Sequence, residues 1–497
     1  MEFFQSNVFF FFLHSLLLLF SVLISFSPPA IDAVGVNWGT AASHQLPPAK
    51  VVELLKSNKI NKVKLFDADP LILSSLSGSN IYVALGIPNS MLRIFNSSKT
   101  AAETWVHDNV TRFISSKTGI NDVRIEYIVV GDEPFLLSYG EKFYPFVLGA
   151  ATNIQTALMK ANLANKVKVV VPFSSDTFLS DSGLPTKGHF RPDINTTITD
   201  LLVFLDKLHS PIFVTIQPFS SYRQNKNISL DFALFKQTAN SHKTYQNSLD
   251  MSYDTLVAAL SAVGFPRMDV VIGQIGWPTD GTVNATSSTA EVFMNGLMDH
   301  IRSKSGTPLR PNNPPIETYL YSLLDEDQRS IDTGSFERHW GIFTFDGQAK
   351  YPLNLLIGGQ GTKSLVNAQN VDYLSNRWCV VNNNINGDLS NASNRALEAC
   401  SVADCSALSP GGSCFNLSWS SNISYAFNNY YQMRNQSSES CNFGGLGLIT
   451  TVDPSVGNCR FEVGLKGSSG SRPLLNSVFQ YFIFFGYIFF FVLHGVV

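Results

Sequence analysis

The chain has 497 residues, which at roughly 150 residues per domain makes two or three domains more natural than one. Charged residues are only 15% against 44% apolar, so a highly charged disordered protein is excluded. The net charge of -3 gives no basic excess for holding nucleic acid.

The apolar excess is concentrated at the two ends. Val8 to Phe26 is almost wholly Phe, Leu, Val and Ile, and Pro28, Pro29 and Ala30 break it ahead of the small residue Ala33. Residues 1–33 therefore read as a secretory signal peptide. Glu2, with no Lys or Arg before the run, leaves an uncleaved N-terminal anchor as the alternative.

From residue 34 onward, short apolar or β-branched runs alternate with longer amphipathic segments. The runs are 34–39, 63–67, 81–88, 125–131, 167–173, 212–219, 270–276 and 318–324. Helices are expected over 47–57, 101–115, 144–162, 198–209, 245–263 and 290–303. Within 101–115, Ala102, Trp105, Val106, Val110 and Phe113 share a helical stripe, so Trp105 should pack and His107 should face solvent. Eight strand-helix units predict an α/β fold, a (β/α)8 TIM barrel over 34–357.

Chemistry in such a barrel sits at the carboxyl ends of the strands. The residues leaving those ends include Asn37, Trp38, Asp67, Asp69, Asn89, Asp132, Glu133, Ser174, Ser175, Gln217, Gln274, Trp277 and Glu326. The set is rich in carboxylates, amides and aromatics. It has neither a His/Cys metal cluster nor a phosphate-cradling glycine loop, so no metal or cofactor is expected and carbohydrate is the expected partner.

All six cysteines, Cys379, Cys400, Cys405, Cys414, Cys441 and Cys459, lie in one segment. A boundary near residue 370 follows, with a linker at 358–375 and a small cysteine-rich domain at 376–463. So short a domain needs three disulfides, whereas zinc is disfavoured because no CxxC pair occurs and no histidine lies between His339 and His494. Aromatics beside amides around Trp378, Phe415, Tyr425 and Phe427 suit either a sugar-binding surface or the small core.

Beyond residue 464, Ser468, Ser469, Gly470 and Ser471 precede a short spacer and an apolar tail to Val497. This is the order of a GPI-attachment signal, with the site among Ser468, Ser469 and Gly470. A retained transmembrane helix is the alternative, although no Lys or Arg follows the tail. Acceptor sequons at Asn96, Asn109, Asn195, Asn227, Asn284, Asn391, Asn416, Asn422 and Asn435 also favour a secreted glycoprotein at the outer plasma membrane or cell wall.

Breaking a glycosidic bond usually takes two carboxyl groups, one to protonate the leaving oxygen and one to attack or to position water. Glu133, in Gly131-Asp132-Glu133-Pro134, suits the proton donor. The exit of the seventh run, where the second carboxylate belongs, carries Gln274.

The stretches Gly35-Val36-Asn37-Trp38-Gly39-Thr40, Gly131-Asp132-Glu133, Gly276-Trp277-Pro278 and Phe336-Glu337-Arg338-His339-Trp340-Gly341 make the large domain similar to glycoside hydrolase family 17, the plant endo-1,3-β-glucosidases. The cysteine-rich segment resembles carbohydrate-binding module family 43. These resemblances imply a retaining mechanism with Glu133 as donor and position 274 as nucleophile. They also imply a substrate-binding set of Trp38, Asp132, Gln217, Trp277, Glu326, Arg329 and Glu337, and the pairs Cys379–Cys441, Cys400–Cys405 and Cys414–Cys459. The chain departs from the family at Asp132 (Asn), Gln274 (Glu), Thr215 and Gln217 (Asn and Tyr) and Arg329 (Lys). An amide is a poor nucleophile, so the expectation is a cell-surface β-1,3-glucan-binding protein with weak or no hydrolysis. The alternative is an active endo-1,3-β-glucosidase or transglycosylase.

Overall fold

The computed structural model describes residues 33–114, 122–236, 244–311, 316–356, 364–383 and 389–467. The expected signal peptide, apart from Ala33, and the GPI-attachment residues lie outside them. Among the described residues, no helix is long and apolar enough to cross a membrane.

Eight parallel strands close into a barrel: β1 (Val34–Trp38), β2 (Lys62–Leu65), β3 (Tyr82–Ile87), β4 (Arg124–Val130), β5 (Lys168–Val170 and Pro172–Phe173), β6 (Ile212–Thr215), β7 (Val270–Ile275) and β8 (Thr318–Leu320). The two pieces of β5 close the ring, the first pairing with β4 and the second with β6. Pro172 has no N–H to continue a ladder, so the run changes partner there. The interior is filled by rings, Tyr127 on Phe213 at 5.1 Å and Phe213 on Tyr319 at 5.9 Å between centroids. At the amino-terminal end Lys62 Nζ lies 2.7 Å from Glu317 and 3.5 Å from Glu126.

The longer helices form close to where periodicity places them, including Pro48–Ser57, Val147–Lys160, Asn195–Lys207, Ser248–Ala262 and Ser287–Ser303. The segment expected at 101–115 starts at Lys99 and passes into a π turn at His107–Thr111. Trp105 packs on Phe95 and His107 faces solvent. Three short helices, Pro70–Leu76, Leu92–Ser97 and Pro218–Gln224, were not expected, being too brief to show a hydrophobic period. Asp69 caps the first of them by accepting from Leu71 N at 2.8 Å, so this strand-exit carboxylate has a structural task.

The cysteine-rich domain pairs β9 (Trp378–Val381) with β10 (Gly447–Thr450) and packs the helices Ala392–Cys400 and Trp419–Met433 around two small cores. Its disulfides are Cys379–Cys441, Cys400–Cys405 and Cys414–Cys459, as the resemblance implies. Trp378, Tyr425 and Phe427 belong to those cores, while Phe415 is exposed. Residues 364–375 lie along the barrel, where the Asn58 amide bonds both Val366 N and O, and Tyr373 donates to Asp346.

Candidate active site

The loop leaving β4 is clamped before it reaches the acid. Asn89, after β3, donates through Nδ2 to Asp132 O at 2.7 Å and accepts from Asp132 N at 2.9 Å. Glu133 then takes φ +48, a left-handed conformation that costs a side-chain-bearing residue roughly 1–2 kcal/mol. A residue held there against its own preference has its direction set by its surroundings.

Burial pushes the Glu133 carboxyl up to about 7, and the neighbouring Asp132 charge adds to the rise. The Thr215 hydroxyl and the Lys64 ammonium oppose it. Glu133 is therefore substantially protonated near neutrality, as a proton donor must be. Lys64, on β2, is itself buried, donates to Asn37 Oδ1 at 3.2 Å and lies over the Phe66 ring. Burial lowers its pKa, while Asp132 and Glu133 favour its charged form. Sequence reasoning passed over this residue, although a second lysine inside the run Lys62-Val63-Lys64-Leu65 is a visible anomaly for a strand buried on both faces.

Gln274 stands on β7 directly opposite Thr215 on β6, just past an irregularity in the register. Its Nε2 donates to Asp132 Oδ1 at 3.2 Å. Three of the positions where the resemblance implies a different residue, Asp132, Thr215 and Gln274, thus meet around one acid. Gln217 is half-buried and accepts from Ser220 Oγ at 2.9 Å.

A second cluster leaves β8. Glu326 is buried, accepts from Ala41 N at 2.8 Å, and has Arg329 Nη1 at 3.5 Å. A Cβ at residue 39 would fall 2.2 Å from Glu326 Oε1, so only glycine lets the carboxylate lie there. Burial raises the Glu326 pKa and Arg329 opposes it. Arg329 also covers the ring of Tyr321, whose hydroxyl is buried without a hydrogen-bond partner. Sequence reasoning missed this residue, whose hydroxyl is a buried polar group with no partner among the described residues. Glu337 accepts from Thr333 Oγ1 at 2.6 Å and from Trp340 Nε1 at 3.1 Å.

Trp38 and Trp277 are 4% and 1% exposed, too little to offer a ring face to a pyranose. Trp277 instead packs among Phe219, Tyr222 and Phe293 and donates to Asn284 O at 2.9 Å. These tryptophans hold the strand exits from beneath. A cavity of about 1050 Å³ lies away from Glu133 and Gln274, between barrel residues such as Asp280, Asp325 and Lys350 and module residues such as Asp404, Arg460 and Glu462.

A parallel barrel with a half-buried carboxyl whose pKa is raised at the fourth strand exit, and amides and carboxylates around it, defines a glycosidase-type site. Residues 34–355 match the model for glycosyl hydrolases family 17 and residues 377–448 match the X8 domain, and the chain belongs to that hydrolase family with an X8 domain appended. It is 61% identical over 465 residues to glucan endo-1,3-beta-glucosidase 9 of Arabidopsis thaliana, covering 93% of this chain and 95% of the relative. With glucan endo-1,3-beta-glucosidase 5 of the same plant the identity is 43%, covering 89% and 90%. Among solved structures it is similar to a beta-1,3-glucanase and allergen of Cryptomeria japonica pollen, with 33% identity and a TM-score of 0.61, covering 65% of this chain and 98% of that one.

Proposed function

We propose that this protein holds β-1,3-glucan at the outer cell surface, through both the barrel cleft and the X8 domain, with little or no hydrolysis. The observation that carries this reading is Gln274: at the exit of β7 the side chain is a neutral amide, spent on Asp132. An amide cannot form the ordinary glycosyl ester, and losing covalent catalysis costs roughly 5 kcal/mol or more of barrier. Binding is not lost with it, since the amide, Asp132, Glu326, Arg329 and Glu337 still offer donors and acceptors for sugar hydroxyls.

The signal-like N-terminus, the GPI-like C-terminus and the sequons support secretion and lipid anchoring in the outer leaflet. Release of the protein from intact cells by a phosphatidylinositol-specific phospholipase tests the anchor, and retention while a control anchored protein is freed contradicts it. The binding reading is tested by calorimetric titration with laminarin-derived oligosaccharides, followed by chromatography of the sugar. Binding with the oligosaccharide recovered intact is expected. Rapid conversion to shorter products, abolished in Glu133→Gln, would replace this reading with that of an active endo-glucosidase.

A further inference from the structure

The turn Ser335–Arg338 carries Glu337 into the barrel cleft, and the cysteine-rich module grips the same turn from the other side. Ser335 Oγ lies 2.6 Å from Ser409 Oγ, Arg338 Nη1 donates to Asp404 Oδ1 at 3.0 Å, and His339 Nε2 lies 2.6 Å from Ser406 Oγ. The Ser406 hydroxyl gives its only proton to Asp404 at 2.5 Å, so His339 must be the donor through Nε2–H. Arg338 from the barrel and the Ser406 hydroxyl from the module thus meet on Asp404, with His339 joined to it through Ser406.

A second foothold lies beyond β7. Asp280 accepts from Ser413 N at 2.8 Å and from Ser413 Oγ at 2.5 Å. Beside it Gly411, at φ +86, comes so close to the barrel backbone that a Cβ would stand 2.4 Å from Val283 N. A third contact joins His44, after β1, to Asn435 Oδ1 at 3.0 Å. A freely tethered binding domain has no need of a fitted glycine and a partly buried ion pair at its contact with the catalytic domain.

Arg338 is shared between the two sides. Its Nε donates to Arg329 O at 3.0 Å, and its own carbonyl accepts from Glu326 N at 3.2 Å. The backbones of two cleft residues therefore hang on the arginine that the module holds, and Glu337 is the residue before it.

We infer that the X8 module is docked as a fixed part of the barrel's carboxyl-terminal face, with Arg338 as the positioning residue that ties it to Glu326, Arg329 and Glu337. The docking stands on the contacts alone, while its effect on glucan affinity rests on the proposed reading of the cleft. The full chain with its three disulfides intact is the material for the test. Hydrogen–deuterium exchange over 326–341 should rise about tenfold in Asp404→Ala, with the strand segment 124–130 unchanged. Because Asp404 also holds its own turn through Ser406 N, Ser409→Ala/Ser413→Ala is the second variant, removing two side-chain contacts of the module with the barrel without touching Asp404, and it should raise exchange in the same segment.

Arg338→Lys separates docking from positioning. Lysine keeps a charge for Asp404, but its single nitrogen cannot reach both Asp404 and Arg329 O as Nη1 and Nε do, so exchange over the module face 404–413 should stay as in the wild type while oligosaccharide affinity falls several-fold. Unchanged exchange over 326–341 in both module variants overturns the docking. Affinity preserved in Arg338→Lys overturns the positioning role. Failure of the wild type to bind oligosaccharide, with the exchange response present, overturns the glucan reading and leaves the docking standing.

Discussion

Gln274 Nε2 donates to Asp132 Oδ1 across 3.2 Å, so the two strand exits flanking the acid share one carboxylate and one amide. Relative to the family resemblance the two groups have traded places, with the carboxylate beside Glu133 on the β4 loop and the amide on β7. On the proposed reading, what is missing is a carboxylate at the position where the resemblance implies a nucleophile.

Asp132 also acts on the acid. Because burial is the larger cause of the raised Glu133 pKa and Asp132 the second, Asp132→Asn should lower that pKa only part of the way back from about 7. In any variant that hydrolyses glucan, activity requires protonated Glu133 and falls as pH rises through its pKa. The basic limb of the pH–rate profile should therefore lie near 7 while Asp132 is present and move lower in the Asp132→Asn variant. A limb unmoved by Asp132→Asn would show that the two carboxyls do not interact.

Lys64 is expected to be costly to remove. Lys64→Met leaves Asn37 Oδ1 without its donor and takes away the cation facing Asp132 and Glu133, a loss of about 1–3 kcal/mol for the orphaned polar group alone. The variant should also hold the Glu133 proton to a higher pH, since the ammonium favours the carboxylate. Chemical denaturation and the pH–rate profile of a hydrolysing background read the two effects separately.

The three disulfides should contribute unequally. In the chain-entropy account, Cys379–Cys441, separated by 62 residues, is worth about 4 kcal/mol and Cys400–Cys405, separated by 5, about 2 kcal/mol. Paired Cys→Ala replacement followed by denaturant unfolding of the module should rank them in that order. Equal losses would mean that native-state strain, not loop closure, governs them.

Glycan occupancy should follow exposure. Asn195, Asn227 and Asn391 are exposed, whereas the Asn284 amide is committed to Tyr222 Oη at 2.8 Å and its sequon threonine caps the helix Ser287–Ser303. Glycopeptide mapping of the protein expressed through a eukaryotic secretory pathway should find the first three occupied and Asn284 bare. An occupied Asn284 would require that loop to be modified before it folds.

Much of this was legible in the residues. Eight apolar runs gave the barrel because strands buried on both faces cannot hide their composition, and Gln274 stood out because the exit of β7 is where a carboxylate was needed. Other features depend on contacts between distant segments. The break of β5 at Pro172 follows from which neighbour each half meets, and the burial of Trp277 from three rings on the helices that follow β6 and β7. The docking of the module on Arg338 joins residues 66 apart, and no local pattern announces such a pair. The span expected as a linker is polar enough to read as one, yet Leu365, Ala368 and Val371 settle against the barrel core.

The proposal that the amide at Gln274 is what withholds hydrolysis is tested most directly by restoring a carboxylate there. Laminarin hydrolysis should be measured for the wild type, Gln274→Glu, and Asp132→Asn/Gln274→Glu, with Glu133→Gln added to the double variant as a control. Gln274→Glu alone places two carboxylates within hydrogen-bond distance, so one of them retains a proton and recovery is partial. The double variant returns both groups to the family arrangement and should hydrolyse orders of magnitude faster than the wild type, with the gain erased by Glu133→Gln. A wild type that already cleaves laminarin as fast as the double variant, through Glu133, would contradict the account.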